Sequence, residues 1–258
     1  MSDVTCSKNR GVATVRLHRA PANAYQETFL STIGETLASL EADNEIRVVI
    51  LESGLEKFFC AGADIAVFQS NSVAQNLALV AQARRNAAAI ENSNKIIIAK
   101  IAGHCLGGGL EIALACDFVM AARGNYRLGL PEIKLGLIPG NGGTQRLVRR
   151  TGLAAAMELL TTGNSIDPER AQQLGLIDQL IAADALEQLC QNFAEQIAQA
   201  PGLALAASKK ALRMGASLSL EKGLALEAEL ADSLYETADA KEGLQAFIEK
   251  RAPVFNKH

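Results

Sequence analysis

The chain has 258 residues, 25 Lys+Arg against 28 Asp+Glu, a net charge of −3, and 49% hydrophobic against 21% charged residues. That is enough apolar chain for one large packed domain or two small ones, and too apolar a composition for disorder. A near-neutral balance with 4% aromatic residues and no Trp offers neither the basic footprint nor the stacking platforms of a nucleic-acid binder.

The first ten residues are polar and hold no apolar signal core. No apolar run approaches the roughly 20 residues of a membrane span, so a soluble, cytoplasmic protein is expected, or a mature form whose transit segment is missing. Residues 11–17 (GVATVRL) read as a strand, stopped by the Ala20-Pro21-Ala22-Asn23 turn. Leu30, Ile33, Leu37 and Leu40 then share one helical face. The run VVIL within 47–52 predicts a strand covered on both sides. A loop with Phe58, Phe59 and Cys60 follows, ending in Ala61-Gly62-Ala63-Asp64. An Ala-rich helix over about 73–91 leads into a second buried strand at 95–101. Next, residues 103–109 (GHCLGGG) join that strand to a helix over 110–116, with a further strand at 117–121. Gly129-Leu130-Pro131-Glu132-Ile133 comes next, and Pro139-Gly140-Asn141-Gly142-Gly143-Thr144 opens another helix. From about residue 153 helices dominate. Asp167-Pro168 has the N-cap and first-turn chemistry of a helix start. Apolar stripes predict helices over 202–214, 220–234 and 239–250, and the break near 200 divides a core (1–200) from a helical appendage (201–258).

The five cysteines, Cys6, Cys60, Cys105, Cys116 and Cys190, are odd in number and scattered, with no CxxC pair. They are expected to be buried, reduced thiols. His18 and His258 have no partners at metal-ligand spacing, so no metal is expected. Neither glycine-rich loop supports a nucleotide site. Gly142-Gly143 is followed by Thr144-Gln145-Arg146 instead of Lys-Ser/Thr, and GxGxxG is absent.

Three glycines between a strand and a helix let backbone approach a ligand and aim free N–H groups at it. Such donors suit an oxyanion that develops during reaction. A second donor is expected from Ala61-Gly62-Ala63-Asp64. Glu111 falls in the first turn of the helix after the glycines, and Glu132 follows a proline near a strand end. Taken singly, Glu111 reads as a macrodipole charge and Glu132 as a solvated loop charge. Together, beside a double N–H site, they can manage one water and one carbon-bound proton. The reaction class is then proton transfer next to a carbonyl, with or without water addition.

The segments FFCAGADIAVF (58–68), AGHCLGGGLEIALACD (102–117) and LPEIKLGLIPGNGGTQRL (130–147) resemble the enoyl-CoA hydratase, or crotonase, family. The resemblance continues through MELLTTGNSIDPERAQQLGLID (157–178) and KEGLQAFIEKR (241–251) and so spans almost the whole chain. It implies an α/β fold, a spiral of ββα turns with a C-terminal helical trimerisation region, assembled as a trimer or dimer of trimers. It also implies an acyl-CoA thioester substrate, of which coenzyme A is a part, with no separate cofactor. Carried over by position, Ala63 and Gly108 donate the two N–H groups to the thioester oxygen. Glu111 and Glu132 match the hydratase carboxylates, Glu132 for the Cα proton and Glu111 for water, and Gly140 matches a glycine beside that water. Ala24, Ala61, Asp64, Ile65 and Lys250 are expected at the CoA, and Lys57 is a second cation for its phosphates.

Some positions depart from the family pattern. Segment 117–132 is one residue longer than the commonest spacing, with the extra residue expected in the Arg123-Gly124-Asn125 turn. Asn141 replaces a common small residue, Ala66 a common charged one, and Tyr25 stands where Leu or Met is usual. His104 and Cys60, though close to the glycines, read as structural. The rival readings are an enoyl-CoA isomerase, which works with one carboxylate, and an inactive interaction or RNA-binding protein. The intact glutamate pair argues for hydration over both.

Overall fold

A computed structural model describes residues 3–255; His258 lies outside them. The chain begins with the antiparallel pair β1 (Val4–Asn9) and β2 (Val12–Leu17), followed by α1 (Glu27–Glu41). Three strand pairs come next: β3 (Val48–Ser53) with β4 (Phe58–Cys60), β5 (Ile96–Ile101) with β6 (His104–Leu106), and β7 (Phe118–Ala122) with β8 (Leu128–Gly129). The first strand of each pair joins a six-stranded sheet ordered β1-β2-β3-β5-β7-β10; the second joins a four-stranded sheet ordered β4-β6-β8-β9. Here β9 is Ser165–Ile166 and β10 is Gln179–Ile181. Helices follow each pair: α2 (Ile65–Ser70) and α3 (Val73–Asn92) after β4, α4 (Gly108–Ala115) after β6, and α5 (Gly143–Thr162) after β8. This is the ββα spiral expected from the sequence.

The apolar runs explain the order. Strands β3 and β5 are buried almost end to end because parallel strands are covered on both faces. Leu30, Ile33, Leu37 and Leu40 do form the buried face of α1, joined by Phe29. Two expectations shift. Residues 58–60 and 104–106, read as loop, are three-residue strands, which are too short to show a period of two. Strand β1 shows none either, because it is an edge strand with one buried residue among six.

The chain continues with α6 (Pro168–Gln173), capped by the Asp167 carboxylate on Arg170 N, and α7 (Leu186–Ala198). Helices α8 (Gly202–Gly215), α9 (Leu220–Leu234) and α10 (Ala238–Glu249) close it. Helix α8 is pinned to the spiral by the buried Lys209, whose ammonium donates to Ile90 O, Lys95 O and Asp117 Oδ2. No helix among the described residues is long and apolar enough to cross a membrane.

Candidate active site

Two loops meet where the four-stranded sheet gives way to helix. β4 runs into Ala61–Asp64 and β6 runs into Gly107, the residue before α4. Parallel pairing of β4 with β6 puts these exits side by side. Their approach is so close that a methyl group on Gly62 would lie 2.7 Å from Gly108 N, and Gly62 is at φ +85. One on Gly109 would lie 2.3 Å from Cys60 O, so helix and strand could not pack with any larger residue there.

Each loop offers an N–H. Gly108 opens α4, and the first N–H groups of a helix have no intrahelical acceptor. In the other loop, Tyr25 forms a parallel bridge to Ala63 using Gly62 O and Asp64 N, which turns the N–H of Ala63 away from Tyr25.

Glu111 is 2% exposed, one turn into α4. Its Oε1 accepts from Asn141 N at 2.6 Å and Gly143 N at 2.8 Å, in the loop that opens α5. Burial pushes its pKa up, while the two N–H donors oppose the rise by stabilising the carboxylate. Glu132 starts a 3-10 turn (Glu132–Leu135) just after β8. Gly107 N donates to Gly129 O at 2.9 Å, which brings that turn to the glycines. Glu132 Oε1 lies 3.1 Å from where a Gly107 Cβ would be, and its buried Oε2 has no hydrogen-bond partner. Burial, followed by the charge of Glu111, raises its pKa to about 7. In the longer 117–132 segment Arg123, Gly124 and Asn125 are exposed, between β7 and β8.

The environments of the two carboxyls therefore differ: Glu111 accepts two backbone N–H groups, whereas the buried Oε2 of Glu132 has no partner. Gly140 is held beside α3: its carbonyl accepts from Arg84 Nε at 2.5 Å, and a methyl group on it would meet Val80 Cγ1 at 3.1 Å. Arg146 Nη1 donates to Asn141 O at 2.6 Å and steadies the same loop. Asn141 is 9% exposed, packs beside Gly108, and has a buried Oδ1 without a partner. Nothing in the sequence pointed to Arg84 or Arg146, whose partners are 56 and 5 residues away.

Of the other predicted residues, Ala61 N donates to Ala22 O and Arg19 donates to Ala24 O, which ties both to the same rim. Asp64 caps α2 and pairs with Arg19 at 3.7 Å; Ile65 beside it is half exposed. Lys250 is exposed at the left-handed end of α10, its N–H on Phe247 O, and among the described residues no hydrogen bond or ion pair joins it to the cluster. Lys57 Nζ lies 5.9 Å over the Phe58 ring. His104 is engaged through Nδ1, which accepts from Arg127 N, and through its ring on Phe58. Cys60 donates to Asn23 O, and burial pushes its thiol up to about 12, the reverse of what a nucleophile needs. Cys6 corrects the expectation of five buried thiols: it is exposed, on the outer edge strand. Among the described residues no group of three or more His, Cys, Asp or Glu is placed to hold a metal.

A family model described as enoyl-CoA hydratase/isomerase matches residues 7–258. The chain is 37% identical to a 2,3-dehydroadipyl-CoA hydratase of Escherichia coli (strain K12) over 99% of both chains. It is 39% identical to a probable enoyl-CoA hydratase of Bacillus subtilis (strain 168), again over 99% of both. The crystal structure of an enoyl-CoA hydratase from Bacillus anthracis matches with a TM-score of 0.96 and 35% identity, covering 100% of each chain.

Proposed function

The chain belongs to the enoyl-CoA hydratase/isomerase family, and from that premise we propose that it reversibly hydrates a 2-enoyl-CoA to the 3-hydroxyacyl-CoA. The observation that carries this is the unequal carboxyl pair. Glu132, its pKa raised to about 7, can give a proton, while Glu111 accepts two backbone N–H groups that favour its carboxylate form against the effect of burial. An isomerase needs no second carboxylate in that state.

In the forward direction Glu111 takes a proton from water as its oxygen bonds to Cβ. Electrons of the double bond move toward the thioester oxygen, where the N–H groups of Ala63 and Gly108 receive the charge. Glu132 then delivers its proton to Cα. Gly140, one residue from the N–H that orients Glu111, flanks the water. Ala24, Ala61, Asp64 and Ile65 form the rim that receives the CoA, with Lys57 and Lys250 as cations for its phosphates. Leu77 and Val80 lie one turn apart on α3 and, with the exposed Ile138, give the acyl chain an apolar track. The exposed Leu212, Leu220, Leu244, Phe247 and Ile248 of the C-terminal helices fit burial against further copies of the chain.

A panel of short, long, branched, aryl and carboxylate-tipped enoyl-CoA thioesters tests the reading. Loss of conjugated-thioester absorbance with formation of 3-hydroxyacyl-CoA is expected for at least one; a shifted double bond with no hydroxylated product would assign isomerisation instead.

The pH dependence follows from the pair. Hydration needs Glu132 protonated and Glu111 ionised, and dehydration needs the proton on Glu111 instead. Both directions use the singly protonated pair, so kcat/KM has one profile for both. Because the Glu132 pKa is raised to about 7, that proton is present below pH 7 and lost above it. We expect kcat/KM to fall about tenfold per pH unit above that point. Rates measured in both directions from mildly acidic to alkaline pH check this, and a profile flat through neutrality counts against it.

A further inference from the structure

Tyr25 touches both N–H-bearing loops at once. Its own N–H donates to Gly62 O at 2.7 Å, and its carbonyl accepts from Asp64 N at 3.3 Å, so its backbone brackets Ala63. Its phenol donates to Gly108 O at 2.5 Å. The ring lies against the same glycine, where a methyl group would come within 2.5 Å of Cε2. The side chain is 3% exposed, and burial keeps the phenol a neutral donor. Among the described residues, no other is hydrogen-bonded to both loops in this way.

We propose that Tyr25 is a positioning residue that sets the spacing between the Ala63 and Gly108 N–H groups. The proposal rests on the reading that these two groups hold the thioester oxygen. Two donors stabilise one oxygen only if they converge on it, and a displacement of about 1 Å in a reacting geometry is worth up to 10²-fold in rate. The backbone bridge alone fixes Ala63 to residue 25 whatever side chain stands there. The phenol is what carries that fixity across to the first turn of α4. An aliphatic residue would leave the distance between the loops to packing alone, whereas the hydrogen bond sets it by a directional contact. Tyr25 acts through the two backbones and need not touch the substrate.

The test is Tyr25→Phe, which removes the hydroxyl and keeps the ring, with Tyr25→Leu as a second variant. Three quantities are read: kcat and KM for hydration, the thermal unfolding midpoint, and the absorbance of a bound aryl enoyl-CoA. In the last, a thioester carbonyl polarised by both donors absorbs at longer wavelength. Its extended conjugation disfavours hydration, so the spectrum reads binding without turnover. We expect the Phe variant to lose about tenfold in kcat with KM little changed, and to show a smaller red shift. The alkaline limb of its pH profile should remain that of the parent. Parental kcat and red shift in the Phe variant overturn the proposal. So does a rate loss that tracks the folded fraction while the red shift per bound ligand stays unchanged. If the parent protein hydrates none of the panel, the hydratase reading fails, whereas the red shift still decides the role of Tyr25.

Discussion

Glu132→Gln is expected to lower hydration turnover by roughly 10²- to 10⁴-fold, and Glu111→Gln by a similar factor, the scale of general acid–base catalysis. The two losses should carry different signatures. Glutamine at 132 cannot give a proton to Cα, so the variant loses the alkaline limb near pH 7 that the parent owes to this residue. It should also slow the exchange of the Cα hydrogen of a 3-hydroxyacyl-CoA with solvent deuterium by a similar factor. Glutamine at 111 can still accept from Asn141 N and Gly143 N through its amide oxygen, so the loop before α5 keeps its anchor. What it loses is the negative charge that takes the proton from water. That variant should therefore fold with a parental unfolding midpoint and bind the thioester, yet hydrate it slowly. Because the two groups act on one substrate in one reaction, the double variant should be little worse than either single one. Near-parental hydration by both single variants, measured by absorbance loss, would remove the pair from the mechanism.

Both glutamates were legible in the sequence because each is next to a feature with its own signal: Glu111 after the triple glycine, Glu132 after a proline. The long elements were legible for a similar reason, since β3, β5 and α1 bury enough consecutive or periodic apolar residues to stand out. The four-stranded sheet was not, because its strands are two or three residues long and their identity comes from pairing across the spiral. Contacts between distant segments were equally hidden. The Arg84 bond to Gly140 spans 56 residues, and the Tyr25 bond to Gly108 spans 83. Tyr25 and Asn141 were visible only as unusual residues; the structure shows both of them packed against Gly108. Lys209 left no trace at all, standing beside a second lysine in an ordinary helical stripe.

Lys209→Met should therefore prove strongly destabilising, by about 3 kcal/mol, while Lys210→Met changes stability by no more than about 0.5 kcal/mol. Lys210 is exposed. Lys209 is buried, and its ammonium satisfies two main-chain carbonyls and one carboxylate oxygen. Methionine fills the space of the stem but donates nothing, leaving Ile90 O and Lys95 O unpaired at roughly 1–3 kcal/mol each. Asp117 is hurt less: its Oδ1 still accepts from Arg213 at 2.8 Å, and its Oδ2 from Ile97 N at 2.8 Å. That residual pairing sets the expectation at the low end of the 3–5 kcal/mol range for a broken buried ion pair. The loss falls on the joint between α8 and the spiral, since Asp117 follows directly on the end of α4 and Ile90 and Lys95 flank the turn into β5. Denaturant unfolding of the two variants, combined with Asp117→Asn in a double-mutant cycle, separates the lost ion pair from the lost carbonyl bonds. The folded fraction of Lys209→Met should retain the parental pH profile of turnover, because neither glutamate loses a hydrogen-bond partner. A midpoint for Lys209→Met equal to that of Lys210→Met would show that the joint is held by apolar packing alone.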